Sequence, residues 1–422
     1  MKTFIIKGPS RGLKGIINIS GAKNSCLTLM AASILFKKRV LLKNVPFVKD
    51  VITMKNLLIA LGSKVEMSER KKTIKIVNNK KHKLVVPYKL VSTMRAGVLT
   101  MGPLLGRYQK QNIYVAKSGG CSLGVRDINF HLSGFESLGA KNKTIRGYVN
   151  ISSKKGLSGS SYRFPKVTVT GTSNLIMAAV LAKGKHILKN ISIEPEVIDL
   201  INFLVSAGAK IKFIGKRTIK IIGIKQFTIG QHKIISDRIE AFSYLSLGAI
   251  TKKTITVHNI NPKFLNTEIN ILRKIGYEIN TYESKIQLKA KNKLKPVKVK
   301  TGPFPAFATD NMPMLLSILT LVPGKSEINE TIFSNRFMAA PELSRMGANI
   351  KIKKNKAVII GQKKLYSADC ISSDLRTTFA IILGAIAGHG TSQVHRVYHG
   401  LRGYYNLKSK LKTLGVNIRS VG

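Results

Sequence analysis

A short phrase, an apolar or small residue followed by glycine and a strand-like tail, occurs six times in this 422-residue chain. The copies are LGSKVEM at Gly62, LGAKNKT at Gly139, AGAKIKF at Gly208, IGYEIN at Gly276, MGANIKIK at Gly347 and LGVNIRS at Gly415, spaced by 68 to 77 residues. Recurrence at a fixed period means that one supersecondary unit is repeated and that each copy buries its apolar face against others. A unit of about 70 residues accounts for the whole length.

Before each glycine lies an amphipathic stretch, clearest in EPEVIDLINFLVSAGA, where Val197, Leu200, Ile201, Leu204 and Val205 share one helical face. The glycine is then expected to end that helix in the left-handed conformation. Each unit holds a second helical run with no polar face, over 26–36, 96–105, 175–182, 241–250, 312–322 and 377–387. Such helices must be buried on every side. Strand candidates such as KGIINISG, KVTVTGT, KTITVHNI and KAVIIGQ are short and rich in Val, Ile and Thr, as sheets with one wet face require. Six units with buried helices and outer sheets predict an α/β protein of two pseudo-symmetric domains, three units in each. A solenoid is the competing plan, but solenoid units run to roughly 20–50 residues and touch only their neighbours. In a two-lobed plan the ligand site is expected between the lobes.

The 71 lysines and arginines against 19 acidic residues leave a net charge of +52, which invites a nucleic-acid reading. The cations are spread over the full length among abundant Ile and Asn, a pattern of compositional bias, and no nucleic-acid-binding signature accompanies them. No specific nucleic-acid partner is expected. No run approaches the roughly 18 apolar residues of a membrane helix, and MKTFIIKGPS lacks a secretory core, so a cytoplasmic protein without membrane contact is expected. Cys26, Cys121 and Cys370 are odd in number and far apart, which argues against a disulfide framework or a metal cluster.

Four segments stand out from the repeat. In ISGAKNSCLTLM a strand ends at Gly21 and a buried helix begins just after Lys23 and Asn24, offering backbone N–H groups and an ammonium to an anion; the alternative is an ordinary N-cap, Asn24, beside a surface lysine. In VAKSGGCSLGVRDINFH, Cys121 sits among Gly119, Gly120 and Gly124, flanked by Lys117 and Arg126, where cations favour a reactive thiol. Cys26 and Cys370 read as structural. In TGPFPAFATDNMPM, Asp310 falls at a helix start and is either a cap or a general base. Arg95, Arg336, Arg376 beside Asp374, and Arg402 recur near unit junctions, where guanidinium forks suit carboxylate and phosphate; each alone is equally a salt-bridged surface residue.

Taken together, SGAKN, TMRA, SGGCSLGVR, FPAFATDNM, SNRFM, APELSRMGA, SDLR and YHGLRGYYNLKSKLKTLGVNI resemble, in order and over essentially the whole chain, the motif set of the enolpyruvyl transferases that act on UDP-N-acetylglucosamine. The resemblance implies a two-domain inside-out α/β barrel whose N-terminal strand belongs to the second domain, hence a first domain over 23–235 and a second over 1–22 and 236–422. It implies transfer of the enolpyruvyl group of phosphoenolpyruvate to the 3′-hydroxyl of UDP-N-acetylglucosamine, with no metal or organic cofactor; the sequence leaves the oligomeric state open, a monomer being the simplest expectation. By the same resemblance Lys23, Arg126 and Arg402 hold phosphoenolpyruvate, Cys121 donates a proton and forms an adduct, Asp310 is the base, and Asp374 with Arg376 orients the centre. Asn24, Arg95, Arg126, Asp127, Ile128, Asn129, Phe130, Lys166, Val167, Thr168, Val169, Asp310 and Ile332 match nucleotide-sugar contacts. Susceptibility of Cys121 to the epoxide fosfomycin follows too. Asp127 and Asn129 stand where the family commonly has Pro and Asp, which predicts weakened nucleotide binding with activity retained; Thr170, in place of a glycine, and Ile52 and Leu99 also differ from the family's pattern. The rivals are the related 3-phosphoshikimate carboxyvinyltransferase, which lacks the cysteine loop, and a non-catalytic basic relict.

Overall fold

The computed structural model describes residues 2–10, 12–78, 81–92, 94–116, 128–290 and 293–422. Cys121, Arg126 and Asp127 lie outside the described residues, as do the glycines and Lys117 around the cysteine. The described residues form two compact units, one from residue 2 to Ser20 and from Ser236 to Gly422, the other from Gly21 to Ile235.

All six repeat glycines take left-handed φ, between 90° at Gly347 and 117° at Gly276. Glycine, lacking a Cβ, takes that conformation at the least cost, and it reverses the chain from helix into strand. Each then leads into a strand, as Gly62 leads from the helix Lys49–Leu61 into Lys64–Ser68 and Gly276 from Asn266–Ile275 into Glu278–Tyr282.

Among the described residues each unit contains three four-stranded sheets of one repeated topology. In one of them Lys185–Lys189 pairs in parallel with Ser161–Arg163 and antiparallel with Thr218–Ile222, which pairs in turn with Lys210–Gly215. Leu188, Ile219 and Ile221 are fully buried while Lys185 and Lys189 face water, the period-two alternation of a half-wet sheet. The strand Thr3–Gly8 closes a sheet of its unit by pairing with Gly390–His395 on one side and Asn417–Val421 on the other, with Phe4 opposite Val394.

The helices without a polar face lie inside. Every residue of Met312–Leu319 is buried, as is every residue from Arg238 to Ile250 in Arg238–Thr251 and from Arg376 to Ile386 in Leu375–Ala387. Lys23–Ala32 and Val169–Ala179 serve the other unit in the same way. Each fully buried Leu or Ile is worth roughly 1.5–3 kcal/mol, so these helices carry the core. Two local expectations need correction. The run 96–105 is a 3-10 helix, Arg95–Thr100, followed by Met101–Arg107, because Pro103 lacks an N–H and would clash with the turn before it in one continuous helix. KVTVTGT is not a strand: its alternation ends at Thr168, whose hydroxyl accepts from the Gly171 N–H and starts the helix Val169–Ala179. Among the described residues no helix is long and apolar enough to cross a membrane, and no cluster of metal ligands occurs.

Candidate active site

In the unit from Gly21 to Ile235 the helix Lys23–Ala32 starts at Lys23 itself, with Ala22 extended at the N-cap and no capping side chain. Asn24 is exposed in the first turn, so the N-cap reading of that residue fails. The Lys23 ammonium lies 3.2 Å from Asp50, and the two side chains are 11% and 7% exposed. Behind the helix start, Ser25 donates to Asp199, whose other oxygen lies 2.7 Å from His232 Nε2, and the Ile235 N–H also donates to Asp199. The buried Asp199 therefore ties the helix to the chain at His232 and Ile235.

Three further segments of the same unit carry the expected nucleotide-sugar contacts. Arg95 opens the 3-10 helix Arg95–Thr100. Ile128 precedes Asn129–Ser137, with Asn129 and Phe130 in its first turn. Lys166 and Val167 lead to the Thr168 cap and Val169. Asn174 joins these segments from the core: its amide donates to Val98 O, its carbonyl accepts from the Gly102 N–H at 2.8 Å, and it meets His131 Nδ1 at 2.8 Å. Thr170 places its hydroxyl 3.2 Å from His131 Nε2. This contact ties two of the three segments together.

In the other unit Asp310 lies in a 3-10 turn, Thr309–Asn311, ahead of Met312–Leu319, and is the N-cap residue of neither. Its carboxylate goes instead to two guanidiniums. Arg336 Nη2 is 2.7 Å from Oδ1, and Arg376 Nη2 and Nε are 3.1 and 3.3 Å from Oδ2. Both arginines are almost wholly buried, at 2% and 4%, whereas Asp310 is 30% exposed. Burial alone would pull Arg376 toward deprotonation, but Tyr404, Asp310 and Asp237 more than offset it and hold the guanidinium above its ordinary pKa. Asp374 is the N-cap of Leu375–Ala387, accepting from the N–H groups of Arg376 and Thr377, and so fixes the backbone of the residue whose guanidinium meets Asp310. Ile332 is exposed, and Arg402 ends the 3-10 helix Val397–Arg402.

The other two thiols are buried. Burial, reinforced by Asp199, pushes Cys26 far above its ordinary pKa, and burial with Glu342 pushes Cys370 up to about 12. Neither presents a thiolate near neutral pH. Asp50, Asp199, His131 and Asn174 were not legible as neighbours of these positions, because each finds its partner many residues away; for Asp50 and Asp199 the signal available was the scarcity of acids in the chain.

The profile of the EPSP synthase (3-phosphoshikimate 1-carboxyvinyltransferase) family matches residues 7–411. The chain is 43% identical over 421 residues to the UDP-N-acetylglucosamine 1-carboxyvinyltransferase of Pelagibacter ubique, with 100% of both chains covered. It is 39% identical over 422 residues to the enzyme of that name from Acinetobacter baylyi, again with 100% of both covered. Among solved structures, the enolpyruvyl transferase NikO from Streptomyces tendae superposes with a TM-score of 0.89 at 20% identity, covering 100% of this chain and 99% of that one. EPSP synthase from Acinetobacter baumannii gives 0.77 at 17% identity with 100% of both covered. At these identities the two structures show a common fold.

Proposed function

The chain belongs to the enolpyruvyl transferase family and transfers the enolpyruvyl group of phosphoenolpyruvate to UDP-N-acetylglucosamine, and we propose how its residues divide that work. Asp310 takes the proton of the sugar 3′-hydroxyl as that oxygen bonds to C2 of phosphoenolpyruvate, while the Cys121 thiol supplies a proton to the vinyl carbon. The resulting tetrahedral ketal loses phosphate and a proton from its methyl group, leaving the enolpyruvyl ether. The observation that carries this reading is Asp310 itself, a carboxylate partly open to solvent and gripped from behind by two buried guanidiniums. A base so held keeps one orientation toward an incoming hydroxyl.

Lys23, Arg126 and Arg402 neutralise phosphoenolpyruvate, with the uncapped start of Lys23–Ala32 adding backbone donors suited to phosphate or carboxylate. Asn24, Arg95, the residues 126–130, Lys166 to Val169 and Ile332 receive the nucleotide sugar. The exposed Lys166 ahead of the start of Val169–Ala179 suits a diphosphate. Asp374 and Arg376 act by positioning Asp310.

The test is phosphate release from phosphoenolpyruvate with UDP-N-acetylglucosamine or shikimate 3-phosphate as acceptor. Release is expected with the nucleotide sugar alone, and Asp310→Asn should lower kcat by roughly 10²–10⁴. Release with shikimate 3-phosphate alone would transfer the chain to its sister activity. Fosfomycin should label Cys121 and leave Cys26 and Cys370 unmodified in a peptide map; label on either of those would remove Cys121 from its role.

A further inference from the structure

In a chain with 19 acidic residues among 71 cations, a buried carboxylate without a cationic partner requires an explanation. Glu330 is 1% exposed, and among the described residues its partners are all neutral. One oxygen accepts from the Thr309 hydroxyl at 3.0 Å. The other accepts from the N–H groups of Ile332 at 2.7 Å and Phe333 at 3.2 Å. Thr309 precedes Asp310 in its turn, and Ile332 is the proposed nucleotide-sugar contact.

The carboxylate is fixed from below. Its own N–H donates to Asn355 O, and the adjacent Thr331 is bound to Thr301 through both its N–H, at 2.9 Å, and its hydroxyl, at 2.8 Å. Three donors converge on two oxygens, an arrangement that only an acceptor-only group satisfies in full. Glu268, 3% exposed, makes a contrast: it accepts from the Ala308 N–H at 3.1 Å and the Asn311 amide at 3.0 Å, and so touches the turn of Asp310 alone.

We propose that Glu330 is a positioning residue that couples the turn carrying the base Asp310 to the turn carrying the nucleotide-sugar contact Ile332, so that sugar binding and base placement share one buried anchor. The proposal rests on the roles assigned above to Asp310 and Ile332. A misplacement of about 1 Å at a base costs on the order of 10²-fold in rate, so an anchor common to both turns acts on kcat and on nucleotide-sugar affinity together.

Steady-state kinetics of Glu330→Ala, Glu330→Gln, Thr309→Val and Glu268→Gln, with melting temperatures and Asp310→Asn as reference, test it. Glu330→Ala should lower kcat about tenfold or more and raise KM for UDP-N-acetylglucosamine several-fold, with KM for phosphoenolpyruvate unchanged. Glu330→Gln should recover most of both, because its carbonyl still accepts from the Ile332 and Phe333 N–H groups and its amide donates to a rotated Thr309 hydroxyl. Thr309→Val, which cuts one arm, and Glu268→Gln should lower kcat without moving the nucleotide-sugar KM. A Glu330→Ala protein that melts lower with both constants unchanged overturns the coupling, as does a nucleotide-sugar KM that moves equally in Glu268→Gln. Should Glu330→Ala fail to fold, the Gln and Val variants decide: equal effects on both constants in Thr309→Val also overturn it. Full activity in Asp310→Asn would instead strike the site assignment and leave the role of Glu330 a separate matter of fold.

Discussion

The two charged centres, Lys23 in the unit from Gly21 to Ile235 and Asp310 in the other, are built on opposite plans. Asp310 is a small anion clasped by two planar guanidiniums, each almost wholly buried and each on its own oxygen. Lys23 is a long flexible cation with Asp50 at 3.2 Å, at the start of a helix without a capping side chain. A base must meet one proton from one direction, and planar forks in fixed rotamers provide that direction. An ammonium that attracts a phosphate needs only to be near, since a point charge with rotating donors tolerates displacement. The rigid centre fits proton transfer and the flexible one fits anion binding.

That contrast predicts a ranked set of effects. The largest should come from Arg376→Ala, which strips Asp310 of two bonds and leaves it to Arg336 and solvent. We expect kcat to fall by roughly 10²-fold or more and stability by about 1–3 kcal/mol, read by kinetics and denaturant titration. Lys23→Met comes next, raising KM for phosphoenolpyruvate by about tenfold or more. Arg336→Lys keeps the charge but loses the fork that joins Thr309 O to Asp310 Oδ1, and kcat should drop about tenfold with KM values near wild type. An equal effect of Lys23→Arg on kcat would erase the distinction between the centres. The smallest effect belongs to Asp50→Asn, whose amide oxygen still accepts from the ammonium and which should shift KM for phosphoenolpyruvate by no more than about threefold.

The architecture was legible because it is periodic. The helices of 26–36, 312–322 and 377–387 and the six terminating glycines repeat a local pattern, and a local pattern is what a sequence displays. KVTVTGT misled for the same reason: Val–Thr alternation mimics a strand until the Thr168 hydroxyl captures the Gly171 N–H. At the site, Lys23 and Asp310 were visible as anomalies against the repeat. Their settings were not. Asp50 lies 27 residues from Lys23 and Arg376 lies 66 from Asp310, and no pattern along the chain reports which side chains folding will place together. Glu268 and Glu330 were missed altogether, being ordinary glutamates until their burial and their neutral donors are seen.

The strand Thr3–Gly8 sets an order on how the molecule assembles during translation. Residues 21 to 235 are contiguous, so that unit has all of its partners as soon as its own segment has left the ribosome. Thr3–Gly8 must wait until Gly390–His395 and Asn417–Val421 have been made, and Gly15–Asn18 must wait for Ile255–His258. Over that interval the nascent chain carries two β-prone segments, TFIIKG and GIIN, with unpaired backbone. Open strands of this kind seek any edge available, and pairing over so long a sequence separation is slow. The early residues are therefore where this chain is most exposed to misassembly and where a chaperone that binds extended segments has the longest time to act.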